Sequence, residues 1–181
     1  MAISAKFTHA DLLVMPNDGK RREIIEGDLY VTPSPRYSHQ QVLARIFAAF
    51  VRYLDTHPIG EIAIAPLDVI LSDFDVLEPD LLFVLNEHRS VFQDWVRGAP
   101  DLVIEILSPT TKTIDRGPKL KAYARYGVTE YWIVDPAEKA VELYRLTPAG
   151  YQLTRSFSEE ESLSSAMFPG FELQVGSLFQ P

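Results

Sequence analysis

The chain contains no cysteine, and its apolar runs are short. Without cysteine there is no disulfide, no thiolate metal site and no cysteine nucleophile. No apolar stretch approaches the roughly 18 residues that a membrane-spanning helix needs. The N-terminal sequence also lacks the apolar segment of a signal peptide. The sequence therefore predicts a cytoplasmic protein with no membrane-embedded part.

Several common catalytic motifs are absent as well. The chain has no glycine-rich phosphate loop of the Walker or dinucleotide-binding type, and it has no G-x-S-x-G nucleophile elbow. Its four histidines form no HExxH motif and no closely spaced ligand set, which argues against zinc. The net charge of −8 is unlike the basic footprint of a general nucleic-acid binder. Carboxylates remain as the main candidates for chemistry.

The length of 181 residues and the apolar share of 46% are typical of one globular domain, here residues 1–181. Apolar residues three and four apart predict a long helix over residues 38–57, capped by Ser38. A second helix is predicted to begin at Asp115, because Pro118 fits only its first turn. The segments EIAIAPLDVIL, DVLEPDLLFVL and DLVIEIL each indicate a strand. This order predicts an α+β fold in which a mixed β-sheet is flanked by the two helices.

Charged residues are unevenly distributed along the chain. Residues 53–88 contain eight acidic residues and neither lysine nor arginine. Residues 112–125 contain one acid and five basic residues, which are Lys112, Arg116, Lys119, Lys121 and Arg125. The pattern is typical of two solvated faces, and it also suits a metal site beside an anion site.

Glu105 lies in the middle of the apolar run DLVIEIL, where an unpaired carboxylate is costly. In a strand it shares a face with Val103 and Leu107, while residues 102, 104 and 106 point the other way. Both faces are apolar, so we expect a central strand that is covered on both sides. The buried acid then needs a partner, which is either a lysine or arginine from a packed helix or a metal ion.

A second acid, Asp80, follows Pro79 at the start of the run DLLFVL. On its own it is typical of a turn acid. If its strand lies beside the strand of Glu105, the two carboxylates converge and repel each other unless a cation bridges them or one of them is protonated. Oxygen ligands of this kind suit Mg²⁺ or Mn²⁺.

Four segments together resemble the Uma2 family, and they are RREIIEGDLYVTPSP, PDLLFV, APDLVIEILSPTTKTIDRGPKLKAYARYGVTEYWIVDP and FPGFEL. Uma2 is a branch of the PD-(D/E)XK, restriction-endonuclease-like nucleases. The resemblance extends over nearly the whole chain. It implies a restriction-endonuclease-like fold and a divalent-metal-dependent nuclease that hydrolyses phosphodiester bonds in nucleic acid, with DNA as the expected substrate.

The resemblance also implies roles for individual residues. Asp80 and Glu105 match the two acids that bind the metal, often together with the backbone carbonyl that follows the second acid, here that of Ile106. The lysine of the superfamily motif would stand at Leu107, so this chain departs from the motif there. Lys119 in the following helix matches the lysine that Uma2-like sequences carry instead.

Glu23 matches an N-terminal acid that completes such sites. Periodicity does not choose between Lys119 and Lys121, because they lie about 200° apart around the helix and both flank its packed face. The resemblance favours Lys119, which would orient the attacking water and offset charge on the phosphate. Four further basic residues would hold backbone phosphates, and they are Lys112, Arg116, Lys121 and Arg125.

Two alternatives stay open. Leu107 in place of lysine is also expected of a catalytically inactive nuclease-fold module that binds or accompanies DNA. The third interpretation is an ordinary interaction domain, which could form a homodimer through an exposed strand edge. The first two share a fold, so the fold alone does not decide between them.

Overall fold

The computed structural model describes residues 5–180, and two β-sheets form its framework. The strands are β1 (Arg21–Ile25), β2 (Asp28–Thr32), β3 (Gly60–Ile64), β4 (Val69–Ser72), β5 (Asp75–Leu77), β6 (Leu81–Leu85), β7 (Val96–Arg97), β8 (Leu102–Ile106), β9 (Glu130–Asp135), β10 (Ala140–Thr147), β11 (Gly150–Phe157), β12 (Ser162–Leu163) and β13 (Leu173–Gln174). The helices are α1 (His9–Leu13), α2 (Tyr37–Leu54), α3 (Lys112–Ile114) and α4 (Leu120–Tyr126). A π-helical turn, Asp115–Lys119, joins α3 to α4, and 3-10 turns lie at Asn86–Val91 and Val175–Leu178.

The larger sheet has six strands in the order β11-β10-β9-β8-β6-β3. Its strands pair antiparallel except for β8 and β9, which are parallel and are connected through α3 and α4. The second sheet has five strands in the order β2-β1-β5-β4-β7. The two short strands β12 and β13 pair with each other. The framework is therefore α+β with a mixed central sheet.

Side chains of β8 alternate between two apolar layers. Leu102, Ile104 and Ile106 belong to the core layer that contains the apolar side of α2. Val103 and Leu107 belong to the other layer, together with the buried residues of α4. Every residue of β8 is buried. The predicted central strand, covered on both faces by helices, is confirmed. Within residues 5–180, no helix has the length and apolarity that crossing a membrane requires.

Two helix boundaries differ from the prediction. Ser38 does not cap α2, because the helix begins one residue earlier and its N-cap residue, Arg36, makes no side-chain cap bond. Helical structure in the second segment begins at Lys112, so Asp115 lies inside it. Pro118 is also internal, and the wider π-helical turn around it accommodates a residue without a backbone N–H.

Two of the predicted strands are each divided by a proline. EIAIAPLDVIL separates at Pro66 into β3 and β4, and DVLEPDLLFVL separates at Pro79 into β5 and β6. In both cases the two halves belong to different sheets, because proline cannot donate to the ladder and the chain changes direction there. The second of these crossings brings Asp80 to the start of β6, between the two sheets.

Candidate active site

Asp80 and Glu105 lie opposite each other and face a common cavity. Leu81 pairs with Ile104 and Leu82 with Val103, and the same register continued by one residue sets position 80 against position 105. Both acids are buried, with exposed fractions of 2% and 1%. They line a cavity of about 140 Å³. The two carboxylates expected to converge are therefore on neighbouring strand segments and on the same side of the sheet.

The carboxylate of Asp80 is held by three donors. Arg21 Nη1 donates to Oδ1 at 3.0 Å, and the backbone N–H of Ile106 donates to Oδ2 at 2.8 Å. His39 Nε2 lies 3.1 Å from the same Oδ2. Burial alone raises the pKa of Asp80, but His39, Arg21 and the Ile106 N–H together lower it to about 2. Asp80 is therefore an oriented, ionised carboxylate.

Glu105 is paired with a lysine that is buried beside it. Lys119 Nζ donates to Glu105 Oε1 at 2.9 Å, and the hydroxyl of Tyr123 donates to the same oxygen at 3.0 Å. Only 2% of the Lys119 surface is exposed, whereas Lys121 is exposed to solvent. Of the two lysines that periodicity left open, Lys119 is the one at the acid. The cationic partner that the strand position required comes from a packed helix.

The ammonium of Lys119 lies among three carboxylates. Besides Glu105, it contacts Glu23 Oε1 at 2.8 Å and Asp115 Oδ1 at 3.5 Å. Burial lowers the pKa of Lys119, but the attraction of these carboxylates dominates and raises it well above its usual value. Lys119 is therefore charged, and all three acids that surround it are buried.

Negative charge at this site exceeds the fixed positive charge. Four buried carboxylates, those of Glu23, Asp80, Glu105 and Asp115, meet the guanidinium of Arg21 and the ammonium of Lys119. Burial raises the pKa of Glu105 well above its usual value despite Lys119, and burial also raises that of Asp115. Asp115 Oδ1 is buried without a hydrogen-bond partner. Such an arrangement is stabilised by a further proton or a further cation.

The donor set suits a divalent cation with oxygen ligands. Mg²⁺ is usually held by one or two carboxylates and keeps several of its waters. Asp80 and Glu105 supply the carboxylates, and the cavity of about 140 Å³ has room for waters that occupy ~30 Å³ each. Within residues 5–180, no group of three or more Asp, Glu, His or Cys side chains is placed so that it could hold a metal ion by itself. The residues therefore fit a hydrated Mg²⁺ or Mn²⁺ and do not fit an all-protein cage.

The predicted phosphate-binding residues divide into two groups. Lys112 and Arg116 both contact Asp135 Oδ2, at 3.3 and 3.4 Å. Arg116 also donates to Glu142 at 2.6 Å, so its charge is already paired. Lys112 lines a second cavity of about 530 Å³, which adjoins the cavity of Asp80.

Lys121 and Arg125 lie elsewhere. They line a separate cavity together with Glu26, to which Arg125 donates. The Arg125 guanidinium also lies 3.7 Å from Asp75. The structure does not bring these two residues into the cavity that Asp80 and Glu105 share.

Four residues of the site were missed from the sequence, namely Arg21, His39, Asp115 and Tyr123. Arg21 stands two positions before Glu23 on β1, so strand alternation alone places it on the same face. His39 lies in the first turn of α2, and it reaches Asp80 only because this helix end meets the start of β6. The sequence predicts Asp115 only as the start of the second helix, and its placement at the site depends on the π-helical turn.

A family model and a curated relative both match this chain. The model of the Uma2 family, described as "Putative restriction endonuclease", matches residues 9–176. The uncharacterized protein slr1290 of Synechocystis sp. is 24% identical over 148 residues, which cover 80% of this chain and 76% of that protein.

A solved structure shows the same fold. A "putative nuclease belonging to DUF820" from Anabaena variabilis ATCC 29413 has a TM-score of 0.78 at 21% identity, covering 96% of this chain and 97% of that one. The type IIG restriction endonuclease BpuSI has a TM-score of 0.45 at 11% identity, over 82% of this chain and 17% of its own.

The expected restriction-endonuclease-like α+β fold is thus confirmed by the structural match and by the mixed sheet with its flanking helices. The family match spans nearly the whole chain and includes every residue of the site. The chain belongs to the Uma2 family.

Proposed function

We propose that the protein is a divalent-metal-dependent nuclease that hydrolyses phosphodiester bonds in nucleic acid, with DNA as the expected substrate. One observation carries the proposal. Asp80 and Glu105 come from neighbouring strands to one cavity, while Lys119 is held against Glu105 at 2.9 Å. The description of the Uma2 family supports the same activity.

Asp80 and Glu105 are the residues that would hold Mg²⁺ or Mn²⁺. When bound, the ion would lower the pKa of a coordinated water and neutralise charge on the scissile phosphate. The excess of buried carboxylates supports this assignment, because each buried carboxylate without a cationic partner raises the free energy needed to bury the others in ionised form. Asp115 lines the same cavity, and its Oδ1 has no hydrogen-bond partner within residues 5–180, so it would accept a hydrogen bond from a water there.

The protein's own residues position the reacting groups. Lys119 lines the cavity as an ammonium, so it can donate to the attacking water and to a phosphoryl oxygen as charge develops. Arg21 and His39 hold the carboxylate of Asp80, and Tyr123 holds that of Glu105. These contacts fix the acids before substrate arrives, which lowers the reorganisation that the reaction requires.

Plasmid DNA, single-stranded DNA and RNA incubated with Mg²⁺ or Mn²⁺ provide the test. We expect cleavage that EDTA abolishes and that falls by more than about 100-fold in both Asp80→Asn and Glu105→Gln, because each loses a charged ligand. Glu130→Gln is the matched control, since it changes a buried glutamate on the adjacent strand that lines none of the described cavities. Circular dichroism would establish that all three variants are folded.

Cleavage that persists in EDTA, or in both Asp80→Asn and Glu105→Gln, would contradict the proposal. Absence of cleavage on all three substrates with either metal would favour the non-catalytic nuclease-fold module instead. In that case the buried acids serve only to hold Arg21 and Lys119 in place.

A further inference from the structure

A second cavity adjoins the one that contains Asp80 and Glu105. Its volume is about 530 Å³, within the roughly 300–1,000 Å³ of pockets that bind small organic groups. The two cavities share four lining residues, which are Arg36, His39, Ser108 and Pro109. The second cavity is mostly apolar and is bounded further by Leu107, Pro136 and Ala137. It is large enough for an organic ring beside the smaller, charged cavity.

The boundary between the cavities carries an available positive charge. Arg36 lines both cavities, and its guanidinium makes no ion pair with any residue in the range 5–180. By contrast, the guanidinium groups of Arg21 and Arg116 are each paired with two carboxylates. A free arginine beside a site for phosphodiester chemistry is suited to a backbone phosphate.

The same boundary is the N-terminus of α2, a helix of 18 residues. Its N-cap residue makes no side-chain bond to the first-turn amides, which favours an anion there. His39, in that first turn, lines both cavities with only 9% of its surface exposed, and its buried Nδ1 has no hydrogen-bond partner among the residues that the structure describes. The first turn of α2 therefore offers backbone amides and a histidine nitrogen for hydrogen bonding, in addition to the helix dipole.

An exposed aromatic ring stands at the same helix end. Tyr37 is 78% exposed, and both of its chain neighbours, Arg36 and Ser38, line the second cavity. Exposed aromatic side chains beside a cationic groove are the usual stacking surfaces for unpaired bases. On the other side of the cavity, Lys112 contributes another ammonium group, which contacts Asp135.

We propose that the second cavity receives one unpaired base of a nucleic acid whose neighbouring phosphate lies in the first cavity. The inference rests on the proposed function and specifies its substrate class as single-stranded nucleic acid or nucleic acid with unpaired bases. A base inside a duplex is stacked and paired, so it enters such a cavity only after it leaves the stack. Arg36, which lines both cavities, and the amides of α2 neutralise the phosphate next to that base.

Binding measured in EDTA tests the proposal without any requirement for catalysis. Fluorescence anisotropy would compare a labelled oligothymidylate of about twelve nucleotides, its duplex with oligoadenylate, and an abasic chain of the same length. We expect the oligothymidylate to bind about tenfold more tightly than either of the others, since the duplex offers no unpaired base and the abasic chain offers no base at all. Arg36→Gln should weaken binding of the oligothymidylate and of the abasic chain alike, because it removes a phosphate contact.

Two alanines in exposed hairpin turns form a matched pair. Ala137, between β9 and β10, lines the second cavity, whereas Ala149, between β10 and β11, lines none of the described cavities. Ala137→Leu narrows the cavity and should abolish the preference for oligothymidylate over the abasic chain. Ala149→Leu adds the same bulk at an equivalent turn and should leave the preference unchanged.

The proposal is overturned if duplex and single strand bind equally, or if Ala137→Leu keeps the full preference. Plasmid cleavage separates this failure from failure of the proposed function. Metal-dependent cleavage of duplex DNA that Ala137→Leu leaves intact would retain the nuclease and reject the base-binding cavity. A preserved single-strand preference without cleavage on any substrate would reject the nuclease and retain the cavity. Absence of binding to every probe would reject the base-binding cavity, and plasmid cleavage with metal would still decide the nuclease.

Discussion

Two glutamates lie buried in the same sheet on the neighbouring parallel strands β8 and β9, in opposite surroundings. Glu130 accepts hydrogen bonds on both oxygens, from the hydroxyl of Ser165, from Trp132 Nε1 at 3.0 Å and from Arg145 at 2.9 Å. Glu105 accepts hydrogen bonds from Lys119 and Tyr123, both on the same oxygen, Oε1. Glu105 lines a cavity, and Glu130 lines none of those described within residues 5–180.

The difference separates a structural acid from a candidate functional one. Glu130 meets one arginine and two neutral donors, so its charge is balanced and its lone pairs are used. Glu105 belongs to a group of four buried carboxylates with only two fixed cations. Carboxylates whose charge the fold leaves uncompensated at an open cavity can bind a cation from solution. Glu130 cannot do so, because its charge and its hydrogen-bond acceptors already have partners.

Among substitutions that test this contrast, removal of the Lys119 ammonium should have the largest effect on the free energy of unfolding. Lys119→Met leaves Glu23, Glu105 and Asp115 buried without their ammonium group, and loss of one member of a buried ion pair costs about 3–5 kcal/mol. Urea unfolding at neutral pH measures the change. Lys121→Met, which alters an exposed lysine two residues away, is the control and should change stability by less than about 0.5 kcal/mol. Equal effects of the two substitutions would contradict the charge arrangement described.

Replacement of the structural acid should have the next largest effect. Glu130→Gln keeps the side-chain shape but removes the charge that faces Arg145, and it turns an amide N–H₂ toward Trp132 or Ser165. We expect a loss of about 1–3 kcal/mol in the free energy of unfolding. A free energy of unfolding equal to that of the unmodified protein would show that the hydrogen bonds of Glu130 do not stabilise the fold.

Metal addition should distinguish the two sites directly. At a Mg²⁺ concentration ten times the dissociation constant, binding to the folded state alone adds about 1.4 kcal/mol to the free energy of unfolding. Urea unfolding with and without Mg²⁺ should show this gain in the unmodified protein and in Glu130→Gln, but not in Glu105→Gln. A gain of the same size in all three would place the ion elsewhere.

Substitution of the candidate functional acid should have the smallest effect on stability. Glu105→Gln removes one charge from a group that has too many, and the amide oxygen still accepts from Lys119. We expect stability within about 1 kcal/mol of the unmodified protein, or above it, as is common where a site trades stability for activity. A loss as large as that in Glu130→Gln would remove the distinction between the two acids.

Much of the candidate site was predictable from local pattern. Strand alternation around Glu105 predicted which residues share its face, because a central strand buries both faces and an acid there is conspicuous. The resemblance to Uma2 favoured Lys119 over Lys121, and the structure places Lys119 against Glu105. The catalytic roles of these residues stay predictions until cleavage is measured.

Other features were not accessible to local pattern. Arg21 and His39 both contact Asp80, although the contacts join residues 59 and 41 positions apart in sequence. The division of two strand-like runs between two sheets was missed because each run was predicted as a single strand despite its internal proline. Lys121 and Arg125 were expected to hold phosphate, yet they face a different cavity because the helix turns them away.

The sequence by itself determined the alternating layers of the central sheet, the helix that covers each face and the acids that interrupt its apolar runs. These features follow from periodicity and from the cost of burying charge, which act over a few neighbouring residues. Only the tertiary structure decided that four carboxylates share two cations and that a free arginine lies between two cavities. Those outcomes depend on which distant segments meet, and the pairing of strands and the packing of helix ends set that choice.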